Sequence, residues 1–147
     1  MWTPKEEIIT HSKKLNILYK TLSEADGQKL KNEVISRHQL SSSHPNSRFL
    51  FEKLNDCSST NREDSISLLK TYPYQEEVFV FFEETKDKTV FSFRHLKDFL
   101  SVYRDCAIFT VYITGVNFDF LISYTSELTL VCNAIAADWL DSLLGQL

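Results

Sequence analysis

The feature that most constrains this chain is the stretch VFVFFEE at residues 78–84, which begins with a run of five apolar residues. Successive side chains of a β-strand point to opposite faces of the sheet, and in this run both alternating sets are apolar. A strand of this kind needs cover on both faces. The run therefore predicts a central strand with other elements packed on either side of it.

The residues after this run predict a hairpin, a helix and three further strands. Residues 85–88 would form the hairpin loop to an antiparallel strand at residues 89–93. Ser92 would cap a helix that runs through Tyr103 with apolar residues at helical spacing. Alternating apolar residues then predict strands at residues 107–114, 118–124 and 128–132.

The end of the chain predicts a last helix with Asn133 as its N-cap and Gly145 at its close. Its apolar side chains recur at helical spacing and should face the sheet, while the aspartates between them face water. The residues predicted to face the sheet are Ile135, Trp139, Leu140, Leu143 and Leu144.

The N-terminal half carries two helix-start signals. Thr3, Pro4 and Glu6 match a capping box, which predicts a helix from Pro4 to about residue 21. The apolar stripe of this helix would comprise Ile8, His11, Leu15, Leu18 and Leu22. A second helix should start at Ser23 and end near Arg37.

Two later segments of this half are polar or ambiguous. Residues 39–47 predict a surface loop, and residues 48–55 fit either a helix or a strand. Residues 61–64 predict the start of a further short helix that ends before Pro73.

These elements predict a single α+β domain over residues 1–147, a length that suits one hydrophobic core. N-terminal helices would pack on a mainly antiparallel sheet of about five strands, with a C-terminal helix beside them. The helical part should span about residues 1–72 and the sheet-containing part about residues 76–147.

Charge is unevenly distributed along the chain. Residues 1–75 hold 11 Lys and Arg against 9 Asp and Glu, whereas residues 76–147 hold 5 against 11. An acidic C-terminal half argues against direct binding of nucleic acid, which depends on clustered cations. It is compatible with a basic protein partner. The acidic residues predicted to contact such a partner are Glu83, Glu84, Asp87, Asp119 and Glu127.

No motif in the sequence predicts catalysis, a cofactor or a metal. The three cysteines lack CxxC spacing, the histidines lack HxH or HxxxH spacing, and three glycines form no phosphate-binding loop. His95 and Cys106 bracket one helix, which would hold them roughly 16 Å apart. The charged N-terminus and the lack of a long apolar window predict a cytoplasmic protein.

Three stretches together resemble a known family. They are VFVFFEE at residues 78–84, SFRHLKDFL at 92–100 and TLVCNAIAADWLDSLL at 129–144, and the likeness covers about half the chain. Their order resembles that of small cytoplasmic immunity proteins of bacterial polymorphic-toxin operons, particularly those that accompany LXG-type toxins of Bacillus and relatives. A Gly is expected before the last helix of such proteins, where this chain has Ala134 and Ala136.

This resemblance implies an antitoxin that binds and masks a cognate toxin domain without catalysing a reaction. Two other functions stay open on the residues alone. One is a homo-oligomeric adaptor or structural protein, which would need a self-complementary apolar patch. The other is a small hydrolase, which would need a pocket containing His95, Cys106 or paired carboxylates.

Overall fold

The computed structural model describes residues 3–38, 50–54, 56–83 and 87–146. This part of the chain forms four α-helices, two 3₁₀ helices and seven strands, which confirms the α+β class. In chain order they are α1 Pro4–Leu15, β1 Tyr19–Thr21, α2 Glu24–His38, the first 3₁₀ helix Leu50–Lys53, β2 Cys57–Thr60, the second 3₁₀ helix Ser65–Thr71, β3 Val78–Phe82, β4 Phe91–Phe93, α3 Leu96–Arg104, β5 Val111–Gly115, β6 Phe120–Tyr124, β7 Leu130–Ala134 and α4 Ile135–Gly145.

The strands form one sheet in the order β1-β4-β3-β5-β6-β7-β2, and every pair is antiparallel. The five central strands were predicted, although their bounds shift by up to four residues. Both edge strands were missed, because YKT and CSST carry no apolar alternation. Since β1 and β2 both precede residue 76, the sheet draws strands from both halves of the chain.

β3 has the predicted central position and is covered on both faces. Val78, Val80 and Phe82 belong to a core that also contains residues of α1, α3, α4 and the second 3₁₀ helix. On the opposite face Phe81 packs with Leu30 and Val34 of α2 and with the first 3₁₀ helix. Other elements thus cover both faces of the sheet, as the apolar side chains on both faces of β3 require.

The N-terminal helix is shorter than predicted. Asn16 adopts a left-handed conformation (φ 57°), and its N–H faces the carbonyls of Ser12 and Lys13. This cap ends α1 at Leu15, so Leu18 is 72% exposed and the following residues form β1. The predicted extension to residue 21 is wrong. By contrast, α2 agrees with its prediction within a residue.

The C-terminal helix starts differently from the prediction. Asn133 is no helix cap: it lies in β7 with its side chain buried, and its Oδ1 accepts the N–H of Leu121 at 2.7 Å. The first residue of α4, Ile135, is 53% exposed instead of facing the sheet. Ser92 likewise belongs to β4, and His95 precedes α3.

The remaining ambiguous segments are partly settled. Within residues 48–55 the described residues include a 3₁₀ helix rather than a strand. The predicted short helix after residue 64 is the second 3₁₀ helix, with Leu69 buried. The predicted loop at residues 39–47 lies outside the described residues.

Ala134 occupies a backbone conformation that normally belongs to glycine, with φ 54° and ψ −130°. We expect Ala134→Gly to stabilise the fold by about 1 kcal/mol. Relief of ~1–3 kcal/mol of backbone strain should exceed the additional conformational-entropy cost of folding a glycine. Urea unfolding would measure the change. Ala136→Gly, at a buried helical position, should instead destabilise the fold. A less stable Ala134→Gly protein would show that the strain is absent.

Gly115 is required by close packing against Tyr74. A Cβ at this position would lie 2.5 Å from the Tyr74 hydroxyl oxygen, which itself accepts the N–H of Val116 at 2.9 Å. We expect Gly115→Ala to destabilise the fold by about 1–3 kcal/mol, measured by thermal or urea unfolding. Gly145→Ala is the matched control, because nothing lies within 4 Å of its added Cβ. Equal stability of the two variants would contradict this packing argument.

Candidate functional site

A groove of about 230 Å³ lies between the second 3₁₀ helix, α3 and the β6–β7 turn; we call it the α3 groove. Its apolar floor includes Leu100, Tyr103 and Tyr124, which also belong to the main core. The groove therefore opens directly onto well-packed side chains, and its floor is positioned by the sheet and α3 rather than by loops alone.

Two large apolar side chains on the wall of the α3 groove are exposed. Ile108, in the link between α3 and β5, is 57% exposed, and Leu128, in the β6–β7 turn, is 45% exposed. Leu128 has a positive φ of 63°, and its N–H donates to the carbonyl of Thr125. Because both border the same groove, they form one small apolar patch beside it and make the groove the candidate interaction surface.

The charge around the groove is opposite to that of the whole chain. Lys70 and Arg104 line it together with Asp64, and an adjoining hollow that shares Lys70 and Leu100 adds Lys97. The combined surface holds three cations and one carboxylate among its described lining residues, although the chain has a net charge of −4. The Asp105 carboxylate lies 4.0 Å from Arg104 and partly offsets its charge. The groove is thus a basic, apolar site on an acidic protein.

Two of the acidic residues predicted to contact a partner hold the protein's own donors. Glu83 accepts hydrogen bonds from the Tyr112 hydroxyl and from the N–H of Leu50. Asp87 accepts the N–H of Lys5 at 2.9 Å and both the N–H and the hydroxyl of Thr89. Their carboxylates are half-buried and hold together segments that are distant in the sequence.

The structure does not bring the predicted acidic residues together. Asp119 and Glu127 are both exposed, but they lie in the turns at opposite ends of β6, roughly 17 Å apart along a five-residue strand. Glu84 lies outside the described residues. Whether any of the five contacts a partner stays a prediction.

His95 and Cys106 do not form a pair. His95 lines the adjoining hollow, whereas Cys106 lies on the wall of the α3 groove, beyond the far end of α3. Burial, with the nearby Glu7 carboxylate, raises the pKa of the Cys106 thiol to about 12. A thiol that stays protonated at neutral pH is a poor nucleophile, so this position does not favour a cysteine hydrolase.

Cys106 instead lies beside two residues of α1. A nitrogen of His11, a carboxylate oxygen of Glu7 and Sγ of Cys106 all lie within 4.8 Å of one another. Sequence reasoning missed this cluster, which we call the Glu7–His11–Cys106 cluster. The spacing of Glu7 and His11 does place both on one face of α1, but no sequence signal brings Cys106 to them from 95 residues away.

A third polar site lies at the end of α2 and is fully satisfied. Nε2 of His38 lies 2.7 Å from the carbonyl oxygen of Phe118, and Nδ1 lies 2.9 Å from Nδ2 of Asn133. Because a carbonyl only accepts, Nε2 carries the proton and Nδ1 accepts from Asn133. With both nitrogens used, the imidazole fixes α2 to the sheet and has no ligand atom to spare.

Comparisons with protein-family models, with curated proteins and with solved structures find no match for this chain. None of the helices in the described part of the chain has the length and apolar character needed to cross a membrane.

The buried imidazole of His38 should make stability depend on pH. Burial, aided by Arg37, lowers its pKa below the ordinary value, although the hydrogen bond to Phe118 and the Asp119 charge oppose this. The unfolded chain then binds the proton more readily, so the stabilising contribution is complete above about pH 6.5 and is lost as pH falls towards the folded pKa. We expect the unfolding free energy to drop between pH 7.5 and 5.5.

His38→Gln provides the comparison, because it removes the titrating group and keeps a polar side chain. Its unfolding free energy, measured by urea titration, should be lower than wild type at pH 7.5 and should change less between the two pH values. A wild-type slope equal to that of the variant would mean that His38 does not titrate in this range.

Proposed function

We propose that this chain is an immunity protein that binds and neutralises a cognate toxin domain in the bacterial cytoplasm without catalysis. The observation that carries the proposal is the α3 groove, which combines exposed apolar side chains with a basic rim. The resemblance to immunity proteins that accompany LXG-type toxins supports the same function. Both point to a stoichiometric binder.

The shape of the α3 groove favours an inserted apolar side chain of the partner. Ile108 and Leu128 border the groove, and Leu100 and Tyr103 lie within it. Apolar anchors that fill a pocket ringed by polar groups contribute most of the free energy in many protein interfaces. The groove therefore suits a toxin segment that presents at least one large apolar residue.

The charge of the rim indicates which residues should flank the inserted apolar side chain in the toxin. Lys70, Lys97 and Arg104 outnumber the carboxylates beside them, which are Asp64 and the Asp105 that pairs with Arg104. Carboxylates that flank the inserted side chain would therefore be attracted to the rim, above all to Lys70 and Lys97. We therefore assign an acidic, apolar segment of the toxin to the α3 groove. A basic partner that meets the exposed carboxylates Asp119 and Glu127 is the competing arrangement, and charge reversal at each surface distinguishes the two.

The function is tested by co-expression. The C-terminal domain of the protein encoded by the adjacent reading frame is induced in a bacterial host with and without this chain. Growth arrest that is relieved only by this chain, together with recovery of a stable complex in a pull-down, would support the proposal. Absence of toxicity, or rescue without a complex, would refute it.

The groove is tested with surface variants of the same complex. We expect Ile108→Ser and Leu128→Asn each to weaken binding by about 2 kcal/mol, roughly 30-fold in Kd, because they remove apolar anchors. Asn suits the positive φ of Leu128. Lys70→Glu with Arg104→Glu should slow association most strongly at low salt. Biolayer interferometry would give both the rate constants and Kd.

Matched controls come from exposed residues outside the groove. Leu18→Ser and Ile135→Ser remove exposed apolar side chains elsewhere, and Asp119→Lys reverses a charge at the opposite end of β6. All three should bind as wild type. If Asp119→Lys weakens binding while the groove variants do not, the acidic surface is the interface and the assignment of the groove is wrong.

The other functions give different outcomes in the same experiments. A homo-oligomeric adaptor would show a dimer in light scattering that Ile108→Ser or Leu128→Asn dissociates. A hydrolase would lose protection of the host when His95 or Cys106 is replaced by alanine, whereas a stoichiometric binder would retain it with His95→Ala.

A further inference from the structure

The Glu7–His11–Cys106 cluster offers three different donor atoms at one point between α1 and the end of α3. Glu7 and His11 lie one helical turn apart on α1, which packs against α3. Cys106 lies two residues after the last residue of α3. The sulfur, nitrogen and oxygen donors lie within 4.8 Å of one another. From this geometry we propose that the cluster binds a divalent transition metal ion, with Zn²⁺ as the preferred ion.

The donor set suits zinc better than a hard cation. Thiolate, imidazole and carboxylate are its usual protein ligands, and three of them leave a fourth tetrahedral position for water. At bond lengths of about 2.0–2.3 Å, neighbouring ligand atoms in a tetrahedral site are roughly 3.5 Å apart. The cluster would contract by about an ångström to reach that spacing, a change that side-chain rotation supplies.

The surroundings of two of these residues support ligand roles. Oε1 of Glu7 accepts the N–H of Ala107 at 2.6 Å, which orients the carboxylate beside Cys106. Ligating carboxylates are held in this way by outer hydrogen bonds. On His11, Nε2 lies 4.0 Å from the Glu7 carboxylate, and Nδ1 is buried without a hydrogen-bond partner among the described residues, so that nitrogen has no other role in the described part of the fold.

A purely structural role for the cluster accounts for fewer of these observations. The Glu7–Ala107 hydrogen bond would fasten α1 to the end of α3 without help from His11 or Cys106. The Cys106 thiol donates only a weak bond of 3.4 Å to the carbonyl of Val102, and Nε2 of His11 lies 4.0 Å from Glu7. On binding, the S–H bond of Cys106 breaks, a sulfur–zinc bond forms, and the proton passes to solvent.

Cobalt(II) is the probe, because a thiolate ligand gives a charge-transfer absorption band and tetrahedral coordination gives intense visible bands. Untagged protein, first treated with a chelator, is titrated with Co²⁺ and then with Zn²⁺. We expect the charge-transfer band to saturate at one equivalent and to vanish when Zn²⁺ displaces the cobalt. This experiment needs no toxin, so its result is independent of the proposed function.

Variants decide which residues bind the metal. Cys106→Ser should abolish the charge-transfer band, and His11→Gln and Glu7→Gln should each weaken binding by roughly tenfold or more. Glu7→Gln keeps an acceptor for the Ala107 N–H and so tests ligation where Cys106→Ser fails to fold. Cys57→Ser is the matched control, since Cys57 is exposed and lies outside the cluster. Its binding should equal that of wild type.

The opposite results overturn the proposal. A wild-type protein without a charge-transfer band, or a band that persists in Cys106→Ser, would show that this thiol is no ligand. A band that disappears in Cys57→Ser would assign the cobalt to the exposed cysteine. Unchanged affinity in both His11→Gln and Glu7→Gln would leave Cys106 as an isolated thiol and reduce the cluster to a structural contact.

Discussion

The structure depends on the burial of β3 from both sides. Its alternating side chains are all large and apolar, so a single covering layer would leave one set in water. The chain meets this requirement with α1, α3 and α4 on one face and α2 with the first 3₁₀ helix on the other. The positions of the α3 groove and of the Glu7–His11–Cys106 cluster follow from it, because both lie where α3 ends on the first face.

The second face explains why composition is a poor guide to the surface. Packing of α2 against the sheet buries polar groups that need hydrogen-bond partners, and nearby acidic or amide side chains are those partners. Glu83 satisfies the Tyr112 hydroxyl, and Asn133 joins His38 to Leu121. Some carboxylates of the acidic half are thus used in internal hydrogen bonds, while the groove with exposed apolar residues is lined by more cations than carboxylates.

Local sequence signals predicted the elements whose structure is decided locally. The β3–β4 hairpin follows from apolar alternation. The start of α2 follows from Ser23, whose side chain accepts the N–H of Asp26. β1 and β2 could not be predicted, because three or four polar residues become strands only through pairing with β4 and β7. Asn133 illustrates the same limit: it resembles a helix cap, but the Leu121 N–H on the neighbouring strand is the donor it binds.

The candidate site was the least predictable part for the same reason. Alternation assigned Ile108 and Leu128 to strands, whereas the strands begin later and leave both residues exposed at the groove. Cys106 links the two proposals, since it belongs to the cluster and also lines the groove two residues before Ile108. A metal bound to Cys106 would restrain the link that carries Ile108. Binding of a partner would then cost less conformational entropy, so metal occupancy would favour association.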